Sequence, residues 1–285
     1  MSRTTIDPIL EDPRSQKLFE LARRIARTGD AVLVLGPTGS GKEIIARYLH
    51  EQSEQSTKRF VAVNCAAIPE HLLESFFFGQ VRGAFNDAVE REGFLAEADG
   101  GTLFLDEVAE LPLHHQVRLL RALDGYAFRP VGGTRDRTVR VRFIAATNRD
   151  LEAMSLDGRF REDLYARISK LILRVPGLRE RPDDVPALAR RYAGEQRPDD
   201  TRFAADVAAA AIRLTRHPLA WPLGVRHVQA FVARADIYDG VEVAEQEMRA
   251  EWERRMRPAA PAPQPREMGV YNPPATSDDV HTLAS

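Results

Sequence analysis

Cysteine is almost missing from this chain: Cys65 is the single thiol among 285 residues. One thiol cannot close an internal disulfide, and it cannot build a zinc site on several thiolates. Long apolar runs are missing too. The run at 31–35 (AVLVL) ends after five residues, far short of the roughly 20 that a membrane helix requires. The first residues, MSRTTIDPILEDPR, lack the apolar stretch of a signal peptide, so a cytoplasmic protein is expected. An excess of one charge is also lacking: 40 basic residues face 42 acidic ones, for a net charge of −2. That balance argues against a globally basic nucleic-acid binder and leaves room only for a local patch. What is present is an ordinary soluble profile, 44% apolar and 29% charged. The length suits one large domain or two modest ones, able to bury about three quarters of the unfolded surface.

The pattern along the chain divides it into three parts. Positions 16–26 carry apolar residues at helical spacing. Short apolar runs at 31–35, 60–64, 102–105, 139–146 and 171–175 read as buried strands, with helical stretches such as 43–50 and 114–123 between them. Alternating strand and helix predicts an α/β domain over 1–175, with a parallel sheet covered on both faces. Helical patterns at 182–191, 203–214, 225–236 and 241–255 predict a small all-helical subdomain over 176–257. Residues 258–285 hold six prolines and little that can form a core, so a disordered tail is expected there. No internal repeat is found.

Two motifs carry chemistry. The run at 31–35 leads into Gly36-Pro37-Thr38-Gly39-Ser40-Gly41-Lys42-Glu43, a G-x-x-x-x-G-K phosphate loop in its strand–loop–helix setting. Glycines let backbone N–H groups turn toward a phosphate chain, and the following helix start adds partial positive charge. Lys42 is one of only four lysines, with Lys17, Lys58 and Lys170, and it would reach the β and γ oxygens. Glu43 stands where Ser or Thr commonly ligates Mg²⁺. The second motif lies 64 residues downstream, where an apolar strand ends in Asp106 and Glu107. Asp106 would hold Mg²⁺ and Glu107 would act as general base toward water. Each alone has a plainer reading, a helix-capping turn and a solvated helix start; together they predict ATP binding.

From about residue 12 to 236 the chain resembles the central AAA+ ATPase domain of the sigma-54-dependent transcription activators, the bacterial enhancer-binding proteins. The resemblance rests on GPTGSGKE, FVAVNCAAIPEHLLES, ADGGTLFLDEVAELP, RPVGGT, VRFIAATNRDL and FREDLYARI with VPGLRERPDDV. That family's phosphate loop itself carries Glu after Lys, so Glu43 fits. The resemblance implies roles for matching positions. Asn64 would be the switch asparagine that hydrogen-bonds the catalytic glutamate, and Asn148 the sensor of the γ-phosphate. Arg161 and Arg167 would be arginine fingers entering a neighbour's site in a homo-oligomeric ring, the hexamer in this family. Six residues apart on a regular helix, they would diverge by about 120°, so one would touch phosphate and the other brace the interface. Arg226 would be the sensor arginine of the lid, although the family's WPGNVREL reads WPLGVRHV here.

The chain departs from the family at its tool for gripping sigma-54. The motif GAFTGA reads Gly83-Ala84-Phe85-Asn86-Asp87-Ala88. Asn and Asp still suit a tight turn, but glycine's freedom is lost at Asp87, and a ring would gain a carboxylate per subunit. No DNA-binding helix-turn-helix is visible, as would fit a regulator that borrows its DNA contact, or a fragment. The expected function is ATP-driven remodelling of sigma-54 RNA polymerase. Two alternatives stay open: an ATP-binding regulatory protein that co-assembles with a related activator, and an AAA+ remodeller of another client. A DNA-translocating motor is disfavoured by the lack of a basic stripe or aromatic platform.

Overall fold

The computed structural model describes residues 6–84, 89–125, 127–238 and 240–256. Five short strands are paired in one sheet: β1 (Val32–Leu35), β2 (Phe60–Asn64), β3 (Thr102–Asp106), β4 (Arg142–Thr147) and β5 (Leu171–Arg174). Every pairing is parallel and the order is β2-β3-β4-β1-β5. Parallel neighbours need crossovers, and helices supply them. α1 (Pro13–Ala26) precedes β1, and α2 (Lys42–Glu51) joins β1 to β2. α3 (Glu70–Phe78) and α4 (Phe94–Glu97) lie between β2 and β3, and α5 (Leu113–Leu123) between β3 and β4. α6 (Leu151–Leu156) and α7 (Glu162–Ile168) lead to β5.

Side chains on successive strand positions enter opposite layers, as a pleated strand requires. Val32, Val34, Phe104, Ile144 and Ala146 pack with Leu18 and Phe19 of α1 and Ile45 and Leu49 of α2. Leu33, Leu103, Leu105, Phe143 and Ala145 pack with Leu73 of α3, Leu119 of α5 and Leu164 of α7 on the other face. Burial of each such Leu or Phe stabilises the fold by about 1.5–3 kcal/mol. α1 is set at both ends. The Asp12 carboxylate accepts from the Arg14 N–H at 2.9 Å with Pro13 in the first turn, and the buried Arg142 guanidinium donates to the last carbonyls, Ala26 at 2.8 Å and Ile25 at 3.2 Å.

The strand expected at 139–146 starts at Arg142. Its partner β3 begins at Thr102, opposite Arg142. Upstream, the Arg140 N–H donates to the Asp99 carboxylate at 2.8 Å and its carbonyl accepts from Gly100 at 2.9 Å, so this stretch braces a turn instead of a ladder.

After Arg174 the regular elements among the described residues are helical. α8 (Asp184–Gln196), α9 (Thr201–Thr215), α10 (Val225–Ile237) and α11 (Val241–Met256) share their own core around Phe203, Val207, Trp221, Phe231 and Trp252. Residues 258–285, the expected tail, lie outside the described residues. Among the described residues no helix is long and apolar enough to cross a membrane.

Candidate functional site

The sheet order decides what meets at the carboxyl ends of the strands, where open parallel sheets place their sites. β4 lies between β1 and β3, so the loop leaving β1 faces the ends of both. The Gly36 N–H donates to the Thr147 carbonyl at 3.3 Å, which ties the loop to the end of β4. Gly39 and Gly41 hold φ values of 72° and 93°, the region that favours glycine, and Gly41 caps α2. The Lys42 ammonium is 7% exposed and donates to the carbonyls of Gly36 at 3.1 Å and Pro37 at 3.4 Å. It is thus folded back over the loop. Glu43 turns outward and pairs with Arg47 at 2.7 Å.

Asp106 and Glu107 close β3 beside this loop. Glu107 lies 3.9 Å from the Lys42 ammonium and has φ 50° and ψ 48°. Left-handed backbone at a residue other than glycine is strained and collects at functional sites. Its Oε2 is buried and accepts no hydrogen bond. Burial, and then the Glu107 charge, push the Asp106 carboxyl above the ordinary aspartate value, against the pull of Lys42. Asp106 Oδ1 also accepts the Glu107 N–H at 3.0 Å.

Asn64 ends β2 opposite Asp106, but its side-chain oxygen accepts the Ala66 N–H at 3.0 Å, and the expected bond to Glu107 is not made. Local capping of the turn at Cys65–Ala67 wins that oxygen. Cys65 itself is buried beneath, and burial with Asp106 nearby pushes its thiol up to about 12. The Asn148 amide donates to Thr38 Oγ1 at 2.9 Å, so the end of β4 touches the phosphate loop. Arg161 is not on the helix: it is the extended N-cap of α7, and the divergence expected from regular helical spacing does not apply. Arg161 pairs with Asp163 at 2.7 Å and Arg167 with Asp124 at 2.9 Å. Both are exposed, and neither lines the cleft of its own chain.

That cleft, of about 870 Å³, lies between the loop and helices α8 and α10. Its polar lining includes Lys42, Asn64, Asp106, Glu107 and Arg226, and its apolar lining includes Ile6, Pro8, Ile9, Leu188 and Val225. The residues fit a nucleotide triphosphate: a glycine cradle, a poised lysine, an orphaned carboxylate oxygen, and an apolar wall. The start of α10 touches the cradle directly. The Val225 N–H donates to the Gly39 carbonyl at 2.9 Å. Gly224, with φ 58° and ψ −135°, lies so close that a Cβ there would fall 2.3 Å from the Gly39 oxygen. Within WPLGVRHV the glycine thus stands where the two backbones come closest.

Sequence reasoning missed Arg181. It is 7% exposed, lines the cleft and donates to the Ser40 carbonyl of the phosphate loop. An arginine inside LRERPDD reads as solvated charge, and only the packing of α8 against the loop distinguishes it.

Of the 83–88 loop, Gly83 and Ala84 are described and Phe85, Asn86, Asp87 and Ala88 lie outside the described residues. Its base is a neck. Gln80 and Arg91 exchange backbone hydrogen bonds at 3.0 Å, and the Val81 N–H donates to Val131 at 3.1 Å. A Cβ on Gly93 would lie 2.3 Å from the Gly79 nitrogen, so the two limbs approach as closely as glycine allows.

The family described as the sigma-54 interaction domain matches residues 9–174. The chain is 45% identical over 226 residues to the Nif-specific regulatory protein of Azotobacter vinelandii, covering 79% of this chain and 43% of that one. It is 47% identical over 206 residues to the response regulator protein PilR of Pseudomonas aeruginosa, covering 72% and 45%. Among solved structures, NtrX from Brucella abortus in complex with ATP superposes with a TM-score of 0.72 at 33% identity, over 83% of this chain and 54% of that one. The chain therefore spans less than two thirds of the length of each of these relatives.

Proposed function

The chain belongs to the sigma-54 interaction domain family, and from that premise we propose that it is an AAA+ ATPase whose turnover remodels sigma-54 RNA polymerase. The observation that carries the ATPase reading is Lys42 and the strained Glu107 facing each other across the loop, with Asp106 beside them. The glycine cradle would hold the β and γ phosphates through backbone N–H groups, and Lys42 would exchange its two loop carbonyls for phosphate oxygens. Asp106 would hold Mg²⁺, which when bound supplies charge neutralisation at the phosphates. Glu107 would accept the proton of the attacking water, its buried Oε2 having no competing donor. Asn148, already on Thr38, would sense the γ-phosphate, and Asn64 would have to leave Ala66 before reaching Glu107.

Residues 1–175 would form the nucleotide unit and 176–257 the lid. The separate packing around Trp221 and Trp252 supports that division. Arg161 and Arg167 would act on a neighbouring subunit, most simply in a hexameric ring. Their present partners are exposed carboxylates, and such pairs are weak enough to be exchanged. Arg226 would complete the site from the lid.

One observation favours a second reading. GAFNDA in place of GAFTGA puts Asp87 on the gripping loop, which suits a basic surface on another client. The discriminating experiment is a binding assay with purified sigma-54 in ADP and aluminium fluoride. A complex that Phe85→Ala abolishes supports sigma-54 as client. Intact ATP hydrolysis without a complex moves the client elsewhere.

A further inference from the structure

A phosphate loop must present N–H groups to its ligand, so its carbonyls need donors from elsewhere. For Ser40 that donor is Arg181 Nη2. The other arm of the guanidinium, Nη1, lies 3.4 Å from Asp184 Oδ2 at the start of α8. Asp184 is fully buried, and it also accepts the Asp12 N–H at 2.9 Å and the Ser15 hydroxyl, both from the start of α1. A buried ion pair contributes little net stability against an apolar filling, because both charges are desolvated. Burial depresses the guanidinium's hold on its proton, yet Asp184 keeps the charged form in place. What such a pair does supply is a donor fixed in direction. Two further polar atoms here, Arg181 Nε and Ser40 Oγ, are buried without a partner. Native interiors rarely tolerate that away from a working site.

We propose that Arg181 is a positioning residue for nucleotide phosphates: braced by Asp184, it fixes the Ser40 peptide and so aims the phosphate loop from the edge of the lid. The inference rests on the nucleotide reading above. It acts through the loop backbone, and it makes the seating of α8 and the start of α1 part of the phosphate site.

The test uses the full chain with two variants, Arg181→Met and Arg181→Lys. Arg181→Met keeps the length without the donors. Arg181→Lys keeps the charge but offers one nitrogen to two acceptors. Binding of fluorescent ADP is measured alongside hydrogen–deuterium exchange of the unliganded chain. Arg181→Met is expected to weaken ADP by about tenfold or more, the loss of a charged hydrogen bond, with Arg181→Lys between it and the unmodified chain. Exchange over 36–42 is expected to rise while α9, α10 and α11 keep their protection. ADP affinity unchanged in either variant overturns the proposal, as does a loop that stays protected. Loss of protection across the lid helices also overturns it, because Arg181 is then a general structural brace. Failure of the unmodified chain to bind ADP is a separate result: it removes the nucleotide reading and the inference with it.

Discussion

At the scale of single residues, Asp106 and Glu107 are adjacent carboxylates with different environments and different expected failures. Glu107→Gln keeps shape and hydrogen-bonding atoms but cannot take a proton. It is expected to bind ADP as before and to lose ATP turnover by about 10²–10⁴-fold, checked by steady-state hydrolysis beside ADP titration. Normal turnover would remove the base assignment. Asp106 makes the stability of the fold depend on pH. Its carboxyl titrates above the ordinary 3.8, so the folded chain holds that proton more firmly than the unfolded chain does. The resulting stability is complete below the ordinary value and is lost as pH rises through the raised one. At neutral pH Asp106 is therefore a half-buried charge that destabilises the unliganded fold. Asp106→Asn is expected to raise Tm at neutral pH, to change it little once pH falls below the ordinary aspartate value, and to abolish Mg²⁺-dependent turnover. Calorimetry across pH checks the first two, and a lowered neutral Tm would contradict them.

At the scale of elements, the turn between α9 and α10 sits on the phosphate loop, backbone against backbone. Gly224→Ala forces a Cβ toward the Gly39 oxygen in a region of backbone space that alanine avoids. It is expected to cost about 1–3 kcal/mol of stability and to weaken ADP binding, measured by denaturant titration and nucleotide titration. An alanine variant with unchanged ADP affinity would show that the contact is incidental. This scale also shows what was legible beforehand. Both motifs are legible, and the three central strands β1, β3 and β4 are legible as buried, because parallel strands covered on two faces are nearly continuous apolar runs. The runs expected to be buried at 60–64 and 171–175 instead form the edge strands β2 and β5, which leave alternate positions exposed. The sheet order is not legible, since nothing in the residues of β4 says that it lies between β1 and β3. Asn148 is legible only through a family resemblance, and its contact with Thr38 follows from that order. Helical spacing predicts Arg161 on a helix, but the helix starts one residue later, where Gln116 Oε1 takes the Arg161 N–H. Arg181 was invisible because charge in a sequence does not announce its own burial.

At the scale of the whole molecule, the proposed site would be divided between what one chain holds and what it presents. Lys42, Asp106 and Glu107 face one cleft, while Arg161 and Arg167 lie exposed outside it. A ring in which each arginine serves a neighbour makes a specific expectation. Arg167→Ala and Glu107→Gln chains, each inactive alone, are expected to regain hydrolysis when mixed. Equal mixing leaves about a quarter of interfaces with both residues intact, by random assembly around a closed ring. No recovery at any ratio would place the arginine's action within its own chain. Cys65 offers a different use of the same architecture. Its thiol is buried under the end of β2 and its proton is held to about 12. An alkylating reagent consumes thiolate, so the native chain should be nearly inert to it. Modification then counts excursions in which the end of β2 lifts away. One unaltered atom thus serves as a clock for breathing at the floor of the cleft, read by mass with and without nucleotide.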